Sequence, residues 1–419
     1  MTRTLLVVAL LLLGAQAPPD DPLQPYSGPS VKGVDVSTLA GKVMCGYQGW
    51  FGAEGDGAGR GWAHWTKNRS KPFEGLNTKV DLWPDLSEYG ADEKFATALM
   101  HADGRKAEVF SSFRKATVLR HVEWMRDYGI DGAFVQRFIV DVKSPREARH
   151  FNTVLASFRE GANRFGRAYA VMYDLTGLKG GRMDDVIDDW KTLRSRMMIV
   201  DDAAYLRHRG KPLVAVWGVG FSDKRDYTLE DCAKLVDFLK GDGCSVLLGV
   251  PAYWRDGNRD ASPDPAVRGL LQRADVLSPW AVGRFGKPEE AARHGEKVVK
   301  PDLDWCGEAK VDYLPVVFPG FSWHQMHAGK LDQIPRLKGR FYWSQWLALK
   351  KAGATMAYVA MFDEVDEATA IFKCANDTPT LDGGLVTYEG LPSDFYLKLT
   401  GSGAKLLRGE IAPTDAPPR

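Results

Sequence analysis

Met356-Ala357-Tyr358-Val359-Ala360-Met361-Phe362 is an apolar run that breaks directly into Asp363-Glu364-Val365-Asp366-Glu367. A short apolar run ending in a polar turn reads as a strand buried on both faces. Seven runs of the same kind precede it, at Val43–Gln48, Gly132–Phe138, Tyr169–Leu175, Pro212–Gly218, Ser245–Val250, Val276–Trp280 and Tyr313–Phe318. The segments between them carry helical signals. Val118, Val122 and Met125 share a face ahead of Gly129, and Ser144-Pro145 with Glu147 reads as an N-cap, an N1 proline and an N3 acid. Behind that start, Phe151, Val154, Leu155 and Phe158 form an apolar stripe; Val186, Ile187, Trp190 and Leu193 form the next. Thr228 and Asp231 read as a capping box ahead of Cys232, Leu235, Val236 and Leu239.

Eight strands alternating with helices predict an α/β chain closed into a (β/α)8 TIM barrel with long strand-end loops. An open doubly wound sheet would need a glycine-rich phosphate loop after its first strand. The turn found there, Gly46-Tyr47-Gln48-Gly49-Trp50-Phe51, has the wrong spacing and is too bulky to cradle a phosphate. The first strand-to-helix connection, from about Gly49 to Ser112, is long and rich in Trp, Gly and Asp. Its Trp62, Trp65 and Asp81-Leu82-Trp83-Pro84-Asp85 predict a substrate wall on the catalytic face.

A positive start, an apolar stretch from Leu5 to Leu13 and Ala15-Gln16-Ala17 predict a signal peptide over residues 1–17 and a secreted or periplasmic protein. The barrel is expected over 18–409, closed by a helix at Ser393–Gly409, with a frayed tail over 410–419. With 55 basic and 54 acidic residues and no long single-sign run, nothing argues for nucleic acid or an anionic membrane as a partner. Five cysteines, none in a C-x-x-C pair, suggest neither a zinc nor a redox motif. Because their number is odd, at least one thiol, such as Cys45, should stay free. The sequence implies no metal and no organic cofactor, and it leaves the oligomeric state open.

In a barrel of this kind the working groups come from the C-terminal strand ends. Those ends offer Tyr47, Gln48 and Trp50; Gln136 and Arg137; Tyr173 and Asp174; Trp217; Tyr253, Trp254 and Arg255; Trp280; and Trp323 with His324. The eighth offers Asp363, Glu364, Asp366 and Glu367. Glycosidic cleavage needs one carboxyl to protonate the leaving oxygen and a second as base or nucleophile. Crowding carboxylates in a desolvated pocket raises the pKa of one of them, which supplies the acid. The catalytic candidates are therefore Glu364 and Glu367. The candidates for binding an oligo- or polysaccharide are Tyr47, Gln48, Trp50, Trp83, Asp85, Gln136, Arg137, Tyr173, Asp174, Trp217, Tyr253, Trp254, Trp280, Trp323 and Asp363, because aromatic rings stack on sugar faces and polar groups fix hydroxyls. His324 and His327 read better as a loop pair than as metal ligands.

Four motifs carry a resemblance: Gly46-Tyr47-Gln48-Gly49-Trp50-Phe51, Tyr128-Gly129-Ile130-Asp131-Gly132, Gly210-Lys211-Pro212, and Phe362 to Lys373. Together they resemble the glycoside hydrolase family 71/99-like group, which includes the endo-α-mannosidases, over essentially the whole mature chain. The resemblance implies that Glu364 and Glu367 match the Glu-x-x-Glu that carries catalysis at strand eight. It implies that Glu364 acts as base on the sugar's own 2-hydroxyl and Glu367 as general acid/base at the leaving oxygen. That route retains configuration without an enzyme-bound sugar, and endo action is expected with it. Val365 and Asp366 stand where the mannosidases carry an aromatic residue and a histidine, which leaves α-mannan and α-glucan types both open. A non-catalytic carbohydrate-binding barrel and a polysaccharide lyase are the alternatives; a lyase would gather Arg137, Arg255 and Arg284 on a uronate.

Overall fold

The computed structural model describes residues 21–418, so the expected signal peptide lies outside the described residues. The strands are β1 Val43–Tyr47, β2 Gly132–Phe138, β3 Ala168–Asp174, β4 Lys211–Trp217, β5 Ser245–Pro251 and β6 Val276–Trp280. β7 comes in two pieces, Asp312–Tyr313 and Val316–Val317, and β8 is Ala357–Val359. They pair in parallel in the order β7–β6–β5–β4–β3–β2–β1–β8. The two pieces of β7 close the sheet: the first pairs with β6 and the second with β8. Pro315 sits between them. It has no N–H for the ladder, but its carbonyl accepts from the Tyr358 amide at 2.9 Å, so the seam stays bonded.

Each strand is followed by a helix on the outside of the barrel. These are α1 Lys115–Asp127, α2 Pro145–Phe165, α3 Asp184–Ser195, α4 Leu229–Gly241, α5 Ala266–Leu271, α6 Lys300–Ala309, α7 Arg340–Ala352 and α8 Phe395–Arg408. The apolar stripes read from the sequence are the buried faces of α1, α2, α3 and α4. α4 starts with the capping box formed by Thr228 and Asp231. At α2 the chemistry differs from expectation. Pro145 does start the helix, but Ser144 makes no capping bond, and Glu147 is buried against Arg60. α6 continues, through one π turn, a helix that begins at Pro288.

The long connection after β1 is not a bare loop. It contains an antiparallel hairpin, Lys94–Met100 with Lys106–Phe110, and it folds back over the top of the barrel. Asp81 and Leu82 donate backbone N–H groups to the Val365 carbonyl, and the Asp81 carboxylate accepts from the His324 and Gln325 amides at 2.7 and 2.9 Å. Its aromatics pack on each other instead of facing a ligand: Phe51 lies 4.4 Å from Trp65, and Phe73 lies 5.7 Å from Trp83, centroid to centroid. The expected substrate wall is therefore largely an aromatic extension of the barrel core. Trp65 and Trp83 are buried in it, because rings of this size stabilise most when fully desolvated.

All five cysteines are buried free thiols, Cys45 among them. The expected closing helix is α8, which starts at Phe395 instead of Ser393. The stretch after Glu410 forms no helix or strand, yet it is held: the Trp343 indole donates to the Thr414 carbonyl at 2.6 Å, and Ile411 packs against the core. Among the described residues, no helix is long and apolar enough to cross a membrane.

Candidate active site

Successive strand residues point to opposite faces, and this decides which candidates reach the barrel mouth. Gln136 points inward, where its amide lies 3.2 Å from the Tyr358 hydroxyl. Arg137, its neighbour, points outward and binds Asp189 of α3, with Nε–Oδ2 at 2.7 Å. Tyr173 also points outward to Asp189, at 2.8 Å, while Asp174 turns inward and accepts from the Thr176 amide. Tyr47 points outward to His121 of α1 at 2.9 Å, and Gln48 turns inward. Arg137, Tyr173 and Tyr47 are thus removed from the set of sugar contacts. They fasten helices to the barrel.

Six further candidates are committed elsewhere. Trp83 is buried in the aromatic core, and Asp85 binds Ser87 and Ser393 at the start of α8. Trp254 is buried, and its indole donates to Asp302 at 3.1 Å. Asp363 is fully buried and accepts the Gln48 and Gly49 amides at 2.8 and 2.9 Å, so it clamps the β1 turn onto β8. Trp50 is nearly buried, stacked on His64 at 3.8 Å and packed against Phe138. Tyr253 is half-buried under the Arg259 guanidinium.

The inward set that remains is Gln48, Gln136, Asp174, Trp217, Trp280, Glu364 and Glu367, with Trp323 at the rim. Trp217 and Trp280 meet edge to face at 5.6 Å and are half-buried, so each keeps surface for a ligand. Gly46 lies below: a Cβ there would meet the Tyr358 hydroxyl at 2.0 Å, so only glycine lets that phenol lie across the barrel floor. If Trp280 stacks on a ligand in the barrel mouth, Trp280→Ala is expected to weaken its binding by about 1 kcal/mol or more, read as a higher KM at nearly unchanged Tm. A fall in Tm with unchanged KM would make Trp280 a packing residue.

Exposure falls from the rim inward, from 39% at Trp323 to 3% at Glu364. Glu364 accepts from the Gln48 amide at 2.6 Å on one oxygen and meets the Thr369 hydroxyl at 2.7 Å on the other. Burial pushes its carboxyl well above the usual range, and the charges of Glu367 and Asp366 push it further. Glu367 is lifted to about 7, first by burial and then by Asp366, with Trp323 beside it pulling the other way. Neighbouring carboxyls of this kind titrate together, and this pair keeps protons to higher pH than ordinary carboxyls do. An acid retained toward neutral pH beside a second carboxyl is what acid/base catalysis requires.

Three residues of the site, Lys79, His64 and Tyr358, were not found by reading strand ends. Asp366, which the eighth strand end did offer, lies between the two glutamates and is buried. Burial alone would raise its pKa, but Lys79, with Nζ at 3.1 Å, and His64, with Nδ1 at 3.3 Å, hold it below the ordinary value. Lys79 and His64 come from the long connection after β1, where no local pattern marks them. His64 has a positive φ of 63°, a strained conformation for a residue with a side chain. Tyr358 was legible as part of a strand but not as a site residue. Its phenol lies within the fields of both Glu364 and Asp174. His324 and His327 do not converge: His324 binds the Gly329 carbonyl, and His327 lies edge-on to Trp323.

No protein-family model and no curated relative matches the chain. Solved structures do. The GH99 endo-α-mannosidase from Bacteroides thetaiotaomicron superposes with a TM-score of 0.65 at 15% identity, over 89% of this chain and 99% of that one. The same enzyme in complex with bis-tris propane gives 0.62 at 15% identity over the same shares. A glycoside hydrolase-like protein gives 0.51 at 14%, over 81% of this chain and 98% of that one. At such identities the likeness is one of fold, and it agrees with the resemblance carried by the four motifs: the chain is a (β/α)8 barrel built on the plan of the endo-α-mannosidase.

Proposed function

We propose that this protein is an exported glycoside hydrolase that cleaves α-linked glycans, of α-mannan or α-glucan type, with Glu364 and Glu367. The observation that carries this reading is the pair itself: two carboxyls at the C-terminal end of β8, Glu364 buried and Glu367 half-buried, with Glu367 lifted to about 7 and Glu364 held well above its ordinary value. Aromatic faces at Trp217, Trp280 and Trp323 surround the pair, as a sugar site needs. Glu364 lies deeper and is oriented by Gln48 and Thr369; Glu367 is nearer the rim. This order suits Glu364 as the group that addresses the sugar's 2-hydroxyl and Glu367 as the group at the leaving oxygen. For Glu364 to act as base the proton must rest on Glu367, so the substrate has to shift it outward on binding. The reaction is then endo-acting and retaining, and the first-formed product has the anomeric configuration of the substrate.

The lyase alternative loses its arginines. Arg137 faces α3, Arg255 binds Asp302, and Arg284 binds Asp260. The test is a screen of the mature protein on α-mannans and α-glucans beside a Glu364→Gln/Glu367→Gln variant. Products from the wild type alone support the reading. Retention on a glycan with no product from either protein would make this a binding barrel.

The pair also sets a pH dependence. Both carboxyls are raised, Glu367 to about 7 and Glu364 well above its ordinary value. As pH falls below these values the base is lost, and as pH rises through them the acid is lost. The profile of kcat/KM is expected to be bell-shaped, with both limbs above the ordinary carboxylate range. An acid limb below about 5, the ordinary carboxylate range, would show that the pair does not couple in this way.

A further inference from the structure

Beside the two glutamates a cavity of about 440 Å³ opens, lined by Arg60, His64, Lys67, Arg69, Lys79 and Asp141 together with smaller residues. It adjoins the reaction centre directly, because His64 and Lys79 form its inner wall and both touch Asp366, the residue between the two glutamates. Lys79 also acts on the charge of Glu367.

The charge in this cavity is not balanced. Glu147 receives three guanidiniums, from Arg60, Arg69 and Arg146, so one carboxylate answers three cations. Lys67 is exposed and meets only a neutral partner, the Leu76 carbonyl at 3.3 Å. Lys79 is offset by Asp366, and Asp141 is the one acid of the lining. The cavity therefore keeps a net positive field, and its walls limit the screening that water gives an open surface. Arg69 retains a side chain 41% exposed, with donors free to turn to a ligand. Arg60 cannot turn: it is held by Glu147 and by the Trp50 carbonyl at 2.7 Å, and it serves as a fixed charge.

We propose that this cavity is a subsite for an anionic substituent of the glycan, so that the preferred substrate carries a sulfate ester, phosphate or uronate carboxylate close to the scissile bond. The proposal rests on the glycosidase reading for the position of that bond. The recognition chemistry is independent of it: Arg69 and Lys67 would bind the oxyanion by charge-assisted hydrogen bonds, and the fixed charges of Arg60 and Lys79 would favour it at longer range.

The experiment measures binding and turnover separately. Neutral α-mannan and α-glucan are compared with their sulfated, phosphorylated and carboxylated forms, using wild-type protein, Lys67→Gln/Arg69→Gln and Glu367→Gln. The wild type is expected to bind one anionic form about tenfold or more tighter than its neutral parent, with the gain shrinking as salt rises. The gain should persist in Glu367→Gln and disappear in Lys67→Gln/Arg69→Gln. The form that shows it names the substituent. Equal affinity for neutral and anionic forms would overturn the subsite while leaving the glycosidase reading untouched. Selective binding with no turnover of any form would support the subsite and sink the glycosidase reading. If the double variant does not fold, Lys67→Gln alone decides, since its ammonium meets only the Leu76 carbonyl, and an undiminished preference in that variant overturns the proposal.

Discussion

Glu367→Gln is expected to lower kcat on an unactivated glycan by ~10²–10⁴-fold and, in the same protein, to raise the Tm measured at pH 8. The first effect follows from the loss of the carboxyl proposed to protonate the leaving oxygen. The second follows from burial. A carboxyl lifted from its model value of 4.5 to about 7 favours the folded state only while it is protonated. That contribution is fully present below about 4.5 and is lost as pH rises through about 7. At pH 8 the folded protein carries the charge in a desolvated place, at a cost on the order of 3 kcal/mol, and the neutral amide removes it. The gain in Tm should therefore be a few degrees at pH 8 and should vanish near pH 4.5. Thermal melts at both pH values, beside turnover on the glycan found by screening, check the pair of effects. Lost turnover with a lowered Tm at pH 8 would mean that Glu367 is a structural anchor whose loss disturbs the site indirectly.

The same balance of burial against charge separates what was legible in the sequence from what was not. Barrel strands are buried on both faces, so each appears as a nearly unbroken apolar run, and all eight could be located to within a residue or two at most ends. β7 and β8 came out shorter than their runs because Pro315 interrupts one ladder and the chain leaves the sheet after Val359. The two glutamates stood out as candidates because four acids directly after an apolar strand are costly unless they do chemistry. The binding residues were read less well, for a reason also present in the sequence. Gln136 and Arg137 are adjacent, as are Tyr173 and Asp174, and Tyr47 and Gln48. In a strand only one of each pair can face the barrel mouth. Applying the two-residue period to the strand ends would have sent Arg137, Tyr173 and Tyr47 outward without any structure. His64 and Lys79 were not accessible in this way. They reach Asp366 across about three hundred residues of chain, through a connection with no periodic pattern, and only the folded excursion brings them there.

Arg137 allows the sharpest test of that correction. Its guanidinium is 1% exposed and paired with Asp189 of α3, while Tyr173 donates to the same carboxylate. Arg137→Leu leaves Asp189 with a hydroxyl partner and no countercharge. Breaking a buried pair on one side costs about 3–5 kcal/mol, so a fall in Tm of many degrees is expected. Replacing both partners, as in Arg137→Leu/Asp189→Leu, removes the stranded charge along with the pair and should recover most of the loss. Because both groups lie between the barrel and α3, kcat/KM of the folded double variant should stay near that of the wild type. A sugar contact would give the opposite pattern: Arg137→Leu would raise KM at nearly constant Tm, and the second substitution would rescue nothing. The comparison asks whether an arginine at a barrel strand end serves the ligand or the wall behind it, and here the direction of one side chain, set by the pleat of β2, already favours the wall.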